Sequence, residues 1–126
     1  MQHPCHTASS DGLLIGERPN PRGWGTFPRY LGHYSRDLGV LSLEETIRQM
    51  TSSPARYLGL SDRGMIKEGF KADLVILNPD TVADKATYAE PRQYPDGIEY
   101  VIVNGEIVVS EGKHTGVLAG RALKRA

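Results

Sequence analysis

Two charged residues in the first quarter of the chain could act on a substrate: Asp11, in SSDG, and Arg22, in NPRG. A carboxylate can take a proton from an attacking water and later deliver it to a leaving group. A guanidinium can hold a substrate carboxylate through two parallel hydrogen bonds. Each residue also has an ordinary interpretation. Asp11 before glycine is typical of a turn, which spacing alone favours, and Arg22 could simply stabilise a loop.

Trp24 follows Arg22 closely and is a candidate for lining an apolar substrate pocket, although such aromatic residues more often pack in cores or loops. A second group, His3, Cys5 and His6 in HPCH, consists of side chains that bind zinc. Their spacing is tight, they lie at the N-terminus, and no fourth ligand is evident. We therefore assign no metal ligand to this chain.

The elements that position Asp11 and Arg22 are predicted as a strand, a loop and a helix. Residues 7–10 could form a short strand, with Asp11 and Gly12 as its exit turn. The prolines and glycines between residues 13 and 25 predict a loop. Helical spacing then predicts a helix over 27–37, with Pro28 in its first turn and Gly39 after its end.

Two further helices are predicted before residue 60. Ser42 and Glu45 match a capping box, in which the serine accepts a backbone N–H and the glutamate reaches back. The helix of 42–51 that follows carries Leu43, Ile47 and Met50 on one face. Ser52 or Ser53 is predicted to cap a short helix that starts at Pro54 and ends at Gly59.

The second half of the chain has the pattern of β-structure. The apolar run 74–77 predicts a buried strand. Residues 98–103 and 106–110 flank Asn104-Gly105, which predicts a hairpin because this pair adopts the positive φ of a type I′ turn. A last short strand is predicted near 117–123.

Composition limits the class of protein. The chain has 126 residues, 15 Lys and Arg against 15 Asp and Glu, and one cysteine, Cys5. This charge balance gives no reason to expect binding to nucleic acid or to an anionic membrane, and no apolar run approaches the ~20 residues of a membrane span. A single cysteine excludes an internal disulfide, so we expect a cytoplasmic protein.

The stretch MTSSPARYLGLSDRGMIKEGFKADLVILNPD, residues 50–80, resembles the end of an amidohydrolase-superfamily enzyme. Four other stretches are similar to N-acyl-D-amino-acid deacylases, also called D-aminoacylases: SSDG, NPRGWGTFPRYLGHYSR, ATYAEPRQYPDGIEYVIVNGEIVV and HTGVLAGRALKR. This resemblance covers nearly the whole chain.

The resemblance implies an α/β fold class of a particular kind. Residues 1–60 would form the last strand and helices of a metal-dependent-hydrolase (β/α)₈ barrel, which takes ~250 residues in full. Residues 61–126 would form the C-terminal strands of the small β-sandwich domain. The chain would then be a C-terminal fragment, inactive alone, because the family's zinc ligands have no counterpart in it.

The resemblance also implies roles for the candidate residues. It makes Asp11 the carboxylate that exchanges protons during amide hydrolysis, and it places Arg22 where it could bind the carboxylate of an N-acyl amino acid. Trp24 would line the acyl pocket. Asn20 stands where the family typically has histidine, so this chain departs from the family pattern at that position.

Two other functions stay open. The chain could be a docking subunit that completes a split enzyme, or a non-catalytic interaction module whose binding would survive Asp11→Asn. The fragment interpretation further predicts that the apolar faces of helices 27–37 and 42–51 are exposed and allow self-association.

Overall fold

The structure, a computed structural model, describes residues 1–123; residues 124–126, at the end of the second predicted unit, lie outside them. Helical segments come first and strands follow. They are helix α1, Arg22–Arg29; a π-helix, Tyr30–Asp37; α2, Leu43–Met50; α3, Ser52–Leu58; and strands β1, Leu74–Leu77, β2, Ile98–Val103, β3, Glu106–Ser110, and β4, Lys113–His114. No helix in the described range is long and apolar enough to cross a bilayer.

The predicted loop over 13–25 is wrong at its end, because α1 begins at Arg22. Gly23 and Gly25 lie inside α1, where they allow close packing and do not break the helix. A Cβ on Gly23 would lie 2.6 Å from the Leu14 side chain, and one on Gly25 would lie 3.2 Å from the Asp84 Cβ. Pro28 lies inside α1 and not in its first turn. Since proline has no N–H to donate, it locally disrupts α-helical bonding, and the chain continues as the π-helix.

The helix predicted over 42–51 is confirmed as α2, and half of its capping box forms. The Ser42 hydroxyl accepts the Glu45 N–H at 3.2 Å. The Glu45 carboxylate does not reach back but accepts from Arg48 and Gln49. Helix α3 starts earlier than predicted, after Thr51, without a side-chain cap, and it ends as predicted at Gly59 with φ 74°.

The four strands form one antiparallel sheet in chain order, β1-β2-β3-β4. Strand β1 and the β2-β3 hairpin have the predicted bounds, and Asn104 and Gly105 have the predicted positive φ, 51° and 86°. The strand predicted near 117–123 is wrong. A turn at Glu111 and Gly112, again with positive φ, returns the chain earlier, so that β4 pairs with β3.

Val82 joins the helical segments to the β-rich part, and it is completely buried. Its backbone is approached closely from two sides, since a Cβ on Gly32 would lie 2.3 Å from its carbonyl oxygen and one on Gly97 would lie 2.6 Å from its nitrogen. The Arg36 side chain donates to the same carbonyl at 2.8 Å and to that of Pro79 at 3.3 Å. A side chain at position 32 or 97 would collide with the Val82 backbone, so only glycine fits at these two positions.

We expect Gly32→Ala to lower the free energy of unfolding by about 1–3 kcal/mol, the usual effect of forcing extra atoms into close packing. The added methyl group would collide with the Val82 carbonyl, although alanine is otherwise the better helix former. Urea unfolding of the chain measures the change. Gly120→Ala is the matched control, because nothing lies within 4 Å of its added Cβ. Equal stability of both variants would contradict this packing.

Much apolar surface stays uncovered. The accessible surface is 8803 Å², whereas a compact monomer of 13.9 kDa is expected to expose about 6,700 Å². Within residues 1–123 the buried apolar side chains other than prolines are few: Ala8, Leu31, Ala55 and Val82.

The predicted exposure of the helix faces is confirmed at Ile47, which is 40% exposed, and it is wrong for the buried Leu31. Tyr30 and Tyr34, on the same face as Leu31, are only partly exposed. The prediction that β1 is buried is also wrong, since Val75 and Ile76 are about half exposed. A strand with an apolar sequence is buried only where another layer covers both of its faces. Self-association through the helix faces stays a prediction.

Candidate active site

Asp11 lies in an irregular segment that packs against the start of α1. Residues 7–10 do not form the predicted strand, because a strand needs a neighbouring strand and this segment meets the end of α2: the Ala8 N–H donates to the Gln49 carbonyl at 2.9 Å. Asp11 has φ 45°, which is uncommon for a residue other than glycine. A Cβ on Gly12 would lie only 2.8 Å from the Cα of Gly23. The segment is thus held beside α1, and the predicted exit turn at Asp11 and Gly12 does not form.

Arg22 pairs directly with Asp11. The Nη2 of Arg22 lies 2.8 Å from the Oδ2 of Asp11, and their side chains are 44% and 82% exposed. Arg22 is the first residue of α1. Its N–H donates to the Asn20 side-chain oxygen at 3.0 Å, a bond that satisfies one of the free donors of a helix start. Asn20 therefore has a structural role here, and the two charged candidates of the sequence lie in contact.

Trp24 is not brought to this pair. It follows Arg22 by two residues on the same helix, and side chains with that separation do not face each other. The side chain is half-buried, and in the described part of the chain its indole makes no hydrogen bond. Its role in an acyl pocket stays a prediction.

The HPCH segment folds as a hydrogen-bonded turn. The His3 ring accepts the Cys5 N–H at 3.2 Å, and Cys5 is exposed and free. His6 turns toward α2, where its Nδ1 lies 2.8 Å from the Gln49 side-chain oxygen. Over residues 1–123, no three His, Cys, Asp or Glu side chains come together in a way that could hold a metal ion.

Gln49 holds the segment that leads to Asp11, and sequence reasoning missed it. Its side chain is 1% exposed. Its amide nitrogen donates to the Met1 carbonyl at 3.2 Å and to the Glu45 carboxylate at 2.9 Å. Arg48 and then Gln49 lower the pKa of Glu45 to about 2, so this carboxylate is ionised and can only accept.

These contacts also determine which nitrogen of the His6 ring carries a proton. The amide nitrogen of Gln49 faces acceptors, so its oxygen faces His6, and Nδ1 of that ring must carry the proton. The other ring nitrogen lies 3.5 Å from the Tyr30 hydroxyl. Burial raises the pKa of Tyr30, so this hydroxyl keeps its proton and can donate. The two rings are stacked, with centroids 6.1 Å apart.

We expect Gln49→Leu to lower the free energy of unfolding by about 1–3 kcal/mol, because the His6 N–H and the Met1 carbonyl would lose their buried partner. Chemical denaturation measures the change. Gln2→Leu is the control: Gln2 is exposed and its amide also donates to one carbonyl, that of Val40. An unchanged stability for Gln49→Leu would show that water replaces these bonds.

Two open depressions of the surface lie elsewhere. One, of about 520 Å³, lies beside Tyr94, Glu99 and Glu111, and another, of about 140 Å³, lies beside Arg56 and Phe70. Neither is lined by Asp11, Arg22 or Trp24. Because both are open to solvent, and because the family resemblance assigns catalysis and substrate binding to Asp11 and Arg22, this pair is the better candidate site.

Comparisons with a family model and with related proteins indicate the same family. The family model described as "Amidohydrolase family" matches residues 1–109. The D-aminoacylase of Alcaligenes xylosoxydans xylosoxydans is 52% identical over 116 residues, which are 92% of this chain and 24% of that protein. The N-acyl-D-glutamate deacylase of the same organism is 44% identical over 125 residues, 99% of this chain and 25% of that protein.

Solved structures agree with the sequence relatives. A D-aminoacylase crystal structure, described as defining a novel subset of amidohydrolases, has a TM-score of 0.91 at 50% identity, over 94% of this chain and 25% of that one. The N-acyl-D-glutamate deacylase of Bordetella bronchiseptica, solved with zinc and a phosphonate inhibitor, has a TM-score of 0.83 at 44% identity, over 94% and 26%. This chain therefore spans about a quarter of the length of these relatives, and it belongs to the amidohydrolase family.

Proposed function

We propose that this chain is the C-terminal portion of an N-acyl-D-amino-acid deacylase, a hydrolase of linear amide bonds that releases a carboxylate and a D-amino acid. The observation that carries the proposal is the 2.8 Å contact between Asp11 and Arg22. The two groups predicted to act on such a substrate lie together at the start of α1. They do so in a chain that is 52% identical to a D-aminoacylase.

In this proposal, residues 1–60 end a catalytic (β/α)₈ barrel and residues 61–126 belong to a small β-sandwich domain. Two observations support the division. Asp11 lies in the segment that leads into α1, and the catalytic residues of such barrels lie at the strand ends and in the loops that lead from a strand to the next helix. The four-stranded sheet also leaves Val75 and Ile76 exposed, as expected for a sheet that another layer would cover.

A related deacylase was solved with zinc, but the described residues of this chain do not offer a zinc site. Zinc in proteins takes three or four ligands, and Asp11 has a single arginine as its charged partner. We place the zinc ligands of the enzyme in the three quarters of its relatives' length that this chain does not match. The chain by itself is then inactive.

The residues of this chain would act on both sides of the amide bond that is broken, the acyl half and the amino-acid half of the substrate. Asp11 takes a proton from the water whose oxygen bonds to the acyl carbon. As the C–N bond breaks, it gives that proton to the leaving nitrogen. Arg22 holds the carboxylate of the amino-acid half, and Trp24 lines the acyl side. One O–H bond of the water breaks and one N–H bond of the leaving amine forms, so Asp11 ends without the transferred proton, as it began.

The direct test joins residues 1–126 to the preceding three quarters of the Alcaligenes D-aminoacylase, in place of that protein's own last quarter. We call this protein the joined enzyme. The expected result is hydrolysis of N-acetyl-D-leucine, measured as acetate release, in the presence of zinc. The control is the same three quarters without this chain, which should release no acetate.

A joined enzyme that folds and binds zinc but releases no acetate from any N-acyl-D-amino acid would refute the proposal. The chain would then resemble the deacylases in fold alone.

A further inference from the structure

The segment that carries Asp11 is anchored to the end of α2 shortly before it reaches Asp11. Gln49, in the last turn of α2, holds two residues of this segment at once. Its side-chain oxygen accepts from Nδ1 of His6 at 2.8 Å, and its backbone carbonyl accepts the Ala8 N–H at 2.9 Å. Since the last carbonyls of a helix have no partner within it, the end of α2 offers a free acceptor to Ala8.

These anchors lie inside the chain. The Gln49 side chain and Ala8 are buried, and the His6 ring stacks on Tyr30 of the π-helix. A buried polar group that loses its partner is costly, because it was separated from water when the chain folded. The position of the segment therefore depends on contacts that this chain makes with itself, whatever else packs against its surface.

A second anchor directly follows Asp11. The Gly12 N–H donates to the Ser10 hydroxyl at 3.3 Å, and Gly12 packs against Gly23 of α1. Asp11 itself has φ 45°, a conformation that persists in a residue other than glycine where the surrounding structure imposes it. Because the chain is held at Ala8 and again at Gly12, the backbone of Asp11 has little freedom to move.

We propose that Gln49 is a positioning residue for Asp11 and acts through His6 and Ala8; this inference rests on the proposed function. A general base must lie within hydrogen-bond reach of the proton that it moves. A misplacement of about 1 Å, caused by a change far from the chemistry, can lower a rate by about 10²-fold. Gln49 touches no reacting atom. Its loss should therefore lower the rate of the chemical step and leave substrate binding unchanged.

The test measures kcat and KM of the joined enzyme for N-acetyl-D-leucine by acetate release. Gln49→Leu and His6→Leu both remove the bond between these two side chains, and each should lower kcat by about 10–100-fold with KM within about twofold. His6→Asn should recover most of the loss, because its amide nitrogen can replace Nδ1 as the donor to Gln49. In the Asp11→Asn enzyme, Gln49→Leu should lower kcat no further, since residues that act as a unit are not additive.

Gly97→Ala is the control for stability. Its added Cβ would lie 2.6 Å from the Val82 backbone, so it should lower the melting temperature as Gln49→Leu does. It leaves the anchors of Asp11 intact, and its kcat should stay within about twofold of the unmodified enzyme.

Hydrogen–deuterium exchange of the folded joined enzyme gives a readout that does not depend on activity. The Ala8 and Gly12 amides should exchange at least about fivefold faster in Gln49→Leu, because the segment opens more often. Their exchange should keep its original rate in Gly97→Ala.

Two results would overturn the positioning role: a kcat within twofold of the unmodified enzyme in both Gln49→Leu and His6→Leu, or a further loss of kcat when Gln49→Leu is added to Asp11→Asn. In either case, hydrolysis of N-acetyl-D-leucine by the unmodified joined enzyme leaves the proposed function standing. Absence of that hydrolysis overturns both.

Discussion

Replacing Asp11 by asparagine should lower kcat of the joined enzyme by about 10²–10⁴-fold, the usual contribution of general acid–base catalysis. Asparagine has nearly the same shape and its oxygen can still accept from Arg22, but an amide cannot take a proton from water at neutral pH. KM should change little, because Asp11 is proposed to act in the chemical step and not in binding. Steady-state acetate release over a range of N-acetyl-D-leucine concentrations gives both constants.

Asp84→Asn provides a control, because Asp84 also pairs with an arginine of α1. Asp84 pairs with Arg29 of α1 at 3.2 Å, so this variant also disrupts an Asp–Arg contact of α1 without touching the candidate site. Its kcat should stay within about twofold of the unmodified enzyme, as for surface changes away from catalytic groups. A similar kcat for both variants would mean that Asp11 has no catalytic role.

Elements with strong local signals could be predicted from the sequence. Asn104-Gly105 specifies a hairpin turn by backbone preference alone, and the Ser42 cap marks the start of α2 within one turn. Such signals act between residues close in sequence. They need no knowledge of what the rest of the chain does, and the structure confirms them.

The errors occur where distant parts of the chain decide the structure. The sequence pattern predicts that Gly23 and Gly25 break regular structure, but in the structure they allow Leu14 and Asp84 to approach α1. Residues 7–10 have a strand-like sequence but meet α2 through Ala8, with no strand beside them. Neither the close packing at these glycines nor the missing strand can be predicted from a short stretch of sequence.

The same reason explains what was missed at the candidate site. Asp11 and Arg22 were identified by type and by family resemblance, but their contact depends on the close approach of Gly12 to Gly23. Gln49 gave no signal, because its partner His6 is 43 residues away. A buried glutamine becomes intelligible only when its hydrogen-bond partners are known.

The proposed role of Arg22 in binding predicts the second large effect. Arg22→Gln should raise KM of the joined enzyme for N-acetyl-D-leucine by about 10–100-fold, since a hydrogen bond to a charged group contributes about 1.5–3 kcal/mol. Arg22→Lys should recover part of this loss, because it keeps the positive charge but cannot form the two parallel bonds of a guanidinium. Steady-state kinetics on the three proteins gives the KM values.

The loop-stabilising interpretation of Arg22 predicts a different pattern, in which Arg22→Gln lowers the melting temperature and leaves KM unchanged. Arg29→Gln calibrates this alternative, since it removes the neighbouring Arg29–Asp84 pair of α1 and should affect stability alone. If Arg22→Gln matches Arg29→Gln in both KM and melting temperature, Arg22 stabilises the loop and does not bind substrate. If its KM rises while its melting temperature resembles that of Arg29→Gln, the increase reflects a lost substrate contact. Both variants lose an ion pair of α1, but only Arg22 is proposed to bind the carboxylate of the substrate.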